Sequence, residues 1–229
     1  MKRALIATVV GAVLLIPTVA NAAVERPKLT FFKALGASIG WSSVGGSSPM
    51  DATNSQSIMI VTPTDSAAGA FTWGNAEAAN TIVGRTLGAV DNLSFDTKGY
   101  LGAGAPRISL ITTGTDGNHT YFLSAFHCND SLSGGWVEAD FIHDTTSCMI
   151  FRDGEIAGYA GWTAVSAVAG ANSETIIDWF LIVDEPTAAQ LPAITSAETF
   201  VDRLVAQDWG WVRSGGPGII SCLDVTPPC

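Results

Sequence analysis

Trp136, Tyr159 and Trp162 stand beside glycine-rich turns, and their chemistry suits a sugar. A ring can lie flat on the C–H face of a pyranose while a polar edge bonds its hydroxyls. These are the candidate ligand-binding residues, whereas Trp41, Trp73, Trp209 and Trp211 read equally well as core. Paired carboxylates such as Glu138 with Asp140, or Asp184 with Glu185, are the residue types that cleave glycosides. That chemistry depends on their separation in space, and acids on strands and turns are ordinarily just exposed. The string "GASIG" at 36–40 matches Gly-x-Ser-x-Gly. A nucleophile elbow works only between a strand and a helix, and no such pattern surrounds Ser38.

The elements that must position these residues are strands. Residues 58–61, 93–96, 108–111, 121–126, 148–151, 176–183 and 200–205 are short runs rich in β-branched and aromatic side chains. Turn clusters such as "TGTDGNH" and "RDGE" separate them. A helical period shows only in "NAEAANTIVG" and "TAVSAVAGA", each too short for an α/β layer. The expected fold is an all-β, jelly-roll-like antiparallel sandwich over 57–211, with 23–56 as an N-terminal segment and 212–229 as a tail. Within 93–110, "LSFDTKGYLGAGAPRISL", a hairpin register pairs Leu93 with Leu110, Phe95 with Ile108 and Asp96 with Arg107. Its glycines then belong to the connecting loop. A phosphate cradle would need a helix after them, and Pro106 leads into a strand instead.

Lys2 and Arg3, an apolar run to Val19, and Ala20-Asn21-Ala22 form a signal-peptide pattern over 1–22. The chain is therefore expected to be secreted, extracellular or at the cell surface, with no membrane span once processed. The net charge of −10 argues against nucleic acid and anionic lipid as partners. In an oxidising compartment the spacing of Cys128, Cys148, Cys222 and Cys229 favours the disulfides 128–148 and 222–229. No Cys-x-x-Cys pair is present, so a zinc site is not expected.

The order of these elements carries a resemblance. After 93–110 come an aromatic strand ending in Cys128, "GGW" at 134–136, "GW" at 161–162, "IVDEP" at 182–186 and "FVDRLVA" at 200–206. Over roughly 80–207 this looks like a group of secreted bacterial β-sandwich proteins. The closing strand resembles the last strand of jelly-roll carbohydrate-binding modules. The resemblance implies binding, with an extracellular glycan as partner, rather than catalysis. Alternation places Asp202 on a face with Phe200 and Leu204, so an inward carboxylate there requires a cation or a set of donors. In the modules it resembles, such an aspartate helps hold a structural calcium ion.

A second resemblance points to another class. "LSAFHC" at 123–128, "DWFLI" at 178–182 and "SGGP" at 214–217 are similar to the histidine, aspartate and serine segments of trypsin-like serine proteases. This resemblance implies His127 as base, Asp178 as its orienter and Ser214 as nucleophile. Against it, too few residues separate Asp178 from Ser214 for a second barrel, and Arg213 stands where that family has an aspartate. The reading is thus a secreted, non-catalytic β-sandwich acting as a glycan-binding or surface-attached module. A trypsin-like hydrolase and a self-assembling extracellular structural protein are the alternatives.

Overall fold

The computed structural model describes residues 28–33, 36–51, 55–63, 67–73, 82–102, 105–128, 130–144, 148–184, 196–211 and 219–221. The runs singled out above fall on strands, except that 121–126 passes its strand's end at Ser124 into a tight turn and 148–151 starts one residue before its strand. "TAVSAVAGA" lies in the helix α1, Gly161–Ala171, and "NAEAANTIVG" lies outside the described residues but for its last three. In α1, Trp162, Val165 and Ala169 recur at helical spacing and are buried together.

Strands are numbered in chain order. One sheet runs β1 (Lys28–Lys33), β4 (Ala67–Trp73), β12 (Thr175–Asp184), β6 (Arg107–Gly114), β7 (Gly117–Ser124), β10 (Met149–Arg152) and β11 (Tyr159–Ala160). The other runs β15 (Ile219–Ser221), β14 (Trp209–Trp211), β13 (Ser196–Ala206), β5 (Leu93–Gly99), β9 (Trp136–Asp140) and β8 (Asp130–Ser131). To its β13 is added β3 (Ser57–Pro63), which also pairs with β2 (Ser38–Ser42). All pairings are antiparallel. One hydrophobic core joins the sheets: Ile108, Leu110, Tyr121, Leu123, Trp179 and Leu181 from the first meet Leu93, Phe95, Val201 and Leu204 from the second. The chain is an all-β, sandwich-like domain, and no described helix is long and apolar enough to cross a membrane. Within the N-terminal segment 23–56, Lys28–Lys33 joins the first sheet as β1 and Ser38–Ser42 joins the second as β2.

The expected hairpin over 93–110 is not formed. β5 pairs with β9 and β13, while β6 pairs with β7 and β12, so the glycine-rich stretch crosses between sheets. Asp96 faces Glu138 and Asp202, and Arg107 faces Ser124 and Ile182. The apparent charge match of Asp96 with Arg107 arose because each strand has its own inward face, and alternation gives the face without giving the partner.

Cys128 and Cys148 form the expected disulfide, separated by 20 residues. It joins the turn that follows β7 to the residue just before β10. Cys222 and Cys229 lie outside the described residues. Closing a loop of this length stabilises a chain by about 3 kcal/mol. Peptide mapping without reductant is expected to yield the linked pair, and reduction to lower unfolding stability by that amount. A peptide joining Cys128 to Cys222 would contradict the pairing.

Candidate ligand-binding site

Along β6, Ile108 and Leu110 point into the core, so Arg107, Ser109 and Ile111 face outward. Register carries that outer face across the sheet: Phe180 of β12 lies opposite Ser109, Ser109 opposite Phe122 of β7, and Phe122 opposite Phe151 of β10. The three phenylalanines are half-buried, whereas Ser109 between them is covered. Phe32 of β1 extends the row, its ring edge-on to that of Phe180 at 6.4 Å.

At the Phe151 end the surface opens into a cavity of about 350 Å³. Its floor is Phe122, Phe151 and Ser124, and its rim is Arg107, His127, Gly154 and Glu155. Each rim group has a local cause. The β7 strand ends at Ser124, whose Oγ accepts the amide of Phe126 and starts the tight turn Ala125–His127. The next residue is Cys128, so the disulfide ties this turn to β10 and to Phe151. The His127 ring rests 5.1 Å from that of Phe151 and 5.0 Å from that of Phe126. Burial among these rings pushes the imidazole pKa below its usual value, leaving it neutral at pH 7.

Glu155 sits in the turn after β10, where Asp153 and Gly154 both have positive φ. Its Oε2 accepts the Tyr159 hydroxyl at 3.3 Å. Gly158 allows Phe151 to lie close: a Cβ there would come within 2.9 Å of the ring. Arg107 is held by a two-pronged bond to Asp184, both N···O distances being 2.5 Å, with its guanidinium 4.9 Å above the Phe122 ring. A fixed cation over one ring, a neutral imidazole and a carboxylate thus surround two aromatic faces. This is a binding geometry in which rings supply flat contact and the rim supplies directional bonds.

The residues expected from sequence are distributed differently. Trp136 is 3% exposed and Trp162 is 7% exposed, so neither offers a face to a ligand. Trp162 packs into the core from α1, and Trp136 is buried where β9 begins. A glycine-rich neighbourhood marks a turn without fixing which way the ring points. Tyr159 is half-buried and adjoins the cavity through Glu155.

His127 and Asp178 are not brought together. Asp178 lies opposite Ile111, whereas His127 lies beyond Ser124, which is level with Arg107 and Ile182. Four strand residues separate those levels, about 13 Å. The Asp178 carboxylate accepts the Trp179 amide at 2.8 Å. Ser214 and Glu185 lie outside the described residues. Glu138 stands beside Arg203, and Asp140 accepts the amides of Ile142 and His143.

Asp202 is buried and faces Asp96 across the β13–β5 pair. Donors surround both. Asp202 accepts the amides of Ser48 at 2.8 Å and Arg203 at 2.9 Å. Asp96 accepts the Ser48 hydroxyl and, at 3.2 Å, the Arg203 guanidinium. A calcium ion would have to displace the Ser48 amide beside a guanidinium already in place, so this donor set does not fit one. Burial pushes Asp202 up to about 7 and Asp96 up to about 6.

A further charged network closes the opposite end of the first sheet. Glu174, fully buried, accepts the Thr112 hydroxyl at 2.6 Å, the Tyr121 hydroxyl at 2.8 Å and Arg152 at 2.9 Å. Arg152 also reaches Asp116, and His119 lies between Asp116 and Asp153. Asp116, His119 and Glu174 are near enough to share a metal ion, but the Arg152 guanidinium already bridges Asp116 and Glu174. The network ties β6, β7 and β10 to the residue that leads into β12.

No family model matches this chain, and neither the curated proteins nor the solved structures give a significant match.

Proposed function

We propose that this chain is a secreted, non-catalytic glycan-binding module whose site is the cavity on the outer face of the first sheet. The observation that carries the reading is the pairing of Phe122 with Phe151 at facing register positions, both half-exposed. Side-by-side rings of this kind stack on a sugar's C–H face, and Arg107, His127 and Glu155 bond the hydroxyls at its edge. The signal-peptide pattern over 1–22 agrees with a ligand met outside the cell. The hydrolase alternative draws no support from a His127 packed between two phenylalanine rings and remote from Asp178.

The test is a glycan array with the processed chain, followed by titration calorimetry on the best oligosaccharide. Phe122→Ala and Phe151→Ala are each expected to weaken binding about tenfold, since a stacked ring contributes about 1–2 kcal/mol. The Trp162→Phe variant, at a core position outside the cavity lining, serves as a control. An array without a single glycan ligand, or affinities that ignore both phenylalanines, would overturn the reading. Labelling by a fluorophosphonate probe would favour the hydrolase.

A further inference from the structure

Resting on that reading, we infer that the cavity selects glycans bearing a free amino group over neutral and acidic ones, with Glu155 as the group that reads the amine. The inference comes from the charges that remain at the rim. Arg107 is the cation that an acidic sugar would seek, but both prongs of its guanidinium already hold Asp184 and its face lies over Phe122. A carboxylated sugar would have to compete with an intramolecular carboxylate already held in two-pronged geometry. His127 lies among rings that disfavour its charge, so at neutral pH it offers an acid only a neutral hydrogen bond.

What remains is Glu155. It is exposed, it lines the cavity, and among the described residues no cation is paired with it; its bond is from the neutral Tyr159 hydroxyl. The Phe151 ring beside it presents a second feature that favours a cation, the negative face of its π system. An ammonium group between Glu155 and Phe151 gains from both, whereas an acetamido group gains from neither and a carboxylate is repelled. The net charge of −10 on the chain works in the same direction at long range.

The experiment measures the full processed chain against four probes of matched length: glucosamine oligomers, N-acetylglucosamine oligomers, oligogalacturonate and an oligolysine peptide. Glucosamine oligomers are expected to bind about tenfold more tightly than their acetylated counterparts at low salt, and the advantage to shrink in 0.5 M salt. Glu155→Gln should reduce the advantage to about threefold or less. Equal affinity for the two glucosamine series, preference for oligogalacturonate, or an advantage untouched by Glu155→Gln would overturn the inference. So would oligolysine binding as tightly as the glucosamine oligomers, because the cavity would then read a cation and not a sugar. Failure of every oligosaccharide, whatever its charge, would instead overturn the glycan reading itself.

Discussion

Replacing Arg152 by methionine is expected to lower unfolding stability by about 3–5 kcal/mol, the usual cost of leaving a buried carboxylate without its partner. Glu174 is fully buried, and burial alone would raise its pKa. Bonds from Thr112, Tyr121 and Arg152 outweigh that, so its carboxyl lies below the usual range and the group stays ionised. Without Arg152 two hydroxyls remain to hold a charge that has no counter-charge in the core. A group with a depressed pKa stabilises the fold above its unfolded pKa, and the benefit disappears as pH falls through the folded value. In Arg152→Met the sign reverses: Glu174 rises above its ordinary value and its protonation favours the folded variant as pH falls, whereas the wild-type group, held below 4.5, stays ionised between pH 8 and pH 5. Urea denaturation of both forms at pH 5 and pH 8 is therefore expected to show a smaller gap between variant and wild type at pH 5. The double variant Arg152→Met with Glu174→Gln should recover part of the loss, because it removes the orphaned charge. A loss below about 1 kcal/mol in the single variant would mean that the hydroxyls alone satisfy Glu174.

The same network shows where sequence reasoning stops. "TYFLS" and "MIFR" are legible as strands, but Tyr121, Phe122 and Leu123 are consecutive and apolar. No alternation distinguishes the inward Tyr121 and Leu123 from the outward Phe122, so the aromatic row of the candidate site had no periodic signal. Arg152, in the next strand, reads as a surface charge until Tyr121 and Glu174 are placed behind it. The expected pair of Asp96 with Arg107 followed from two well-recognised strands and failed on their pairing. Arg107 finds Asp184, 77 residues later, and Asp96 meets Ser48, 48 residues earlier.

The demand that Asp202 be satisfied was legible from its apolar neighbours, and donors meet it. One is the amide of the adjacent Arg203, and the other comes from Ser48, 154 residues upstream in a stretch with no strand pattern of its own. Phe200, Asp202 and Leu204 were expected on one face, but a bulge follows Asp202 with Arg203 at φ 44°, and the alternation breaks there. At this bulge the Arg203 guanidinium reaches Asp96 on the adjacent β5 and Glu138 on β9 beyond it. Cysteine spacing, by contrast, gave the 128–148 pair directly, because a short loop between adjacent elements leaves few alternatives.

Asp96 and Asp202 are expected to make the protein lose stability as pH rises from about 4 to about 7, with the profile levelling above that range. Both start from 3.8 and are pushed up in the fold, to about 6 and about 7, chiefly by burial. Between those limits the native state holds protons that the unfolded chain releases, so raising the pH favours unfolding. Each pKa unit corresponds to about 1.4 kcal/mol, and the pair together should account for several kcal/mol. Because the two carboxylates face one another, they titrate as a pair. Asp51 and Glu138 add negative charge around them and Arg203 opposes it. His119, raised by Asp153 and Asp116, adds to the loss at the upper end, whereas His127, lowered by burial, opposes it below 6.5. Asp96→Asn separates the pair from these histidines. Its amide oxygen can still accept the Ser48 hydroxyl and the Arg203 guanidinium, while one buried charge is removed and the pKa of Asp202 falls. The variant should therefore be more stable than wild type at pH 8 by at least about 1 kcal/mol and should lose roughly half of the pH slope. Asp202→Ala should be less stable throughout, because it leaves the Ser48 amide without its acceptor. Melting temperatures recorded from pH 4 to pH 9 test all three forms. A wild-type profile that is flat or rises across this range, or an Asp96→Asn variant that keeps the full slope, would show that the two carboxylates do not share their protons in the fold.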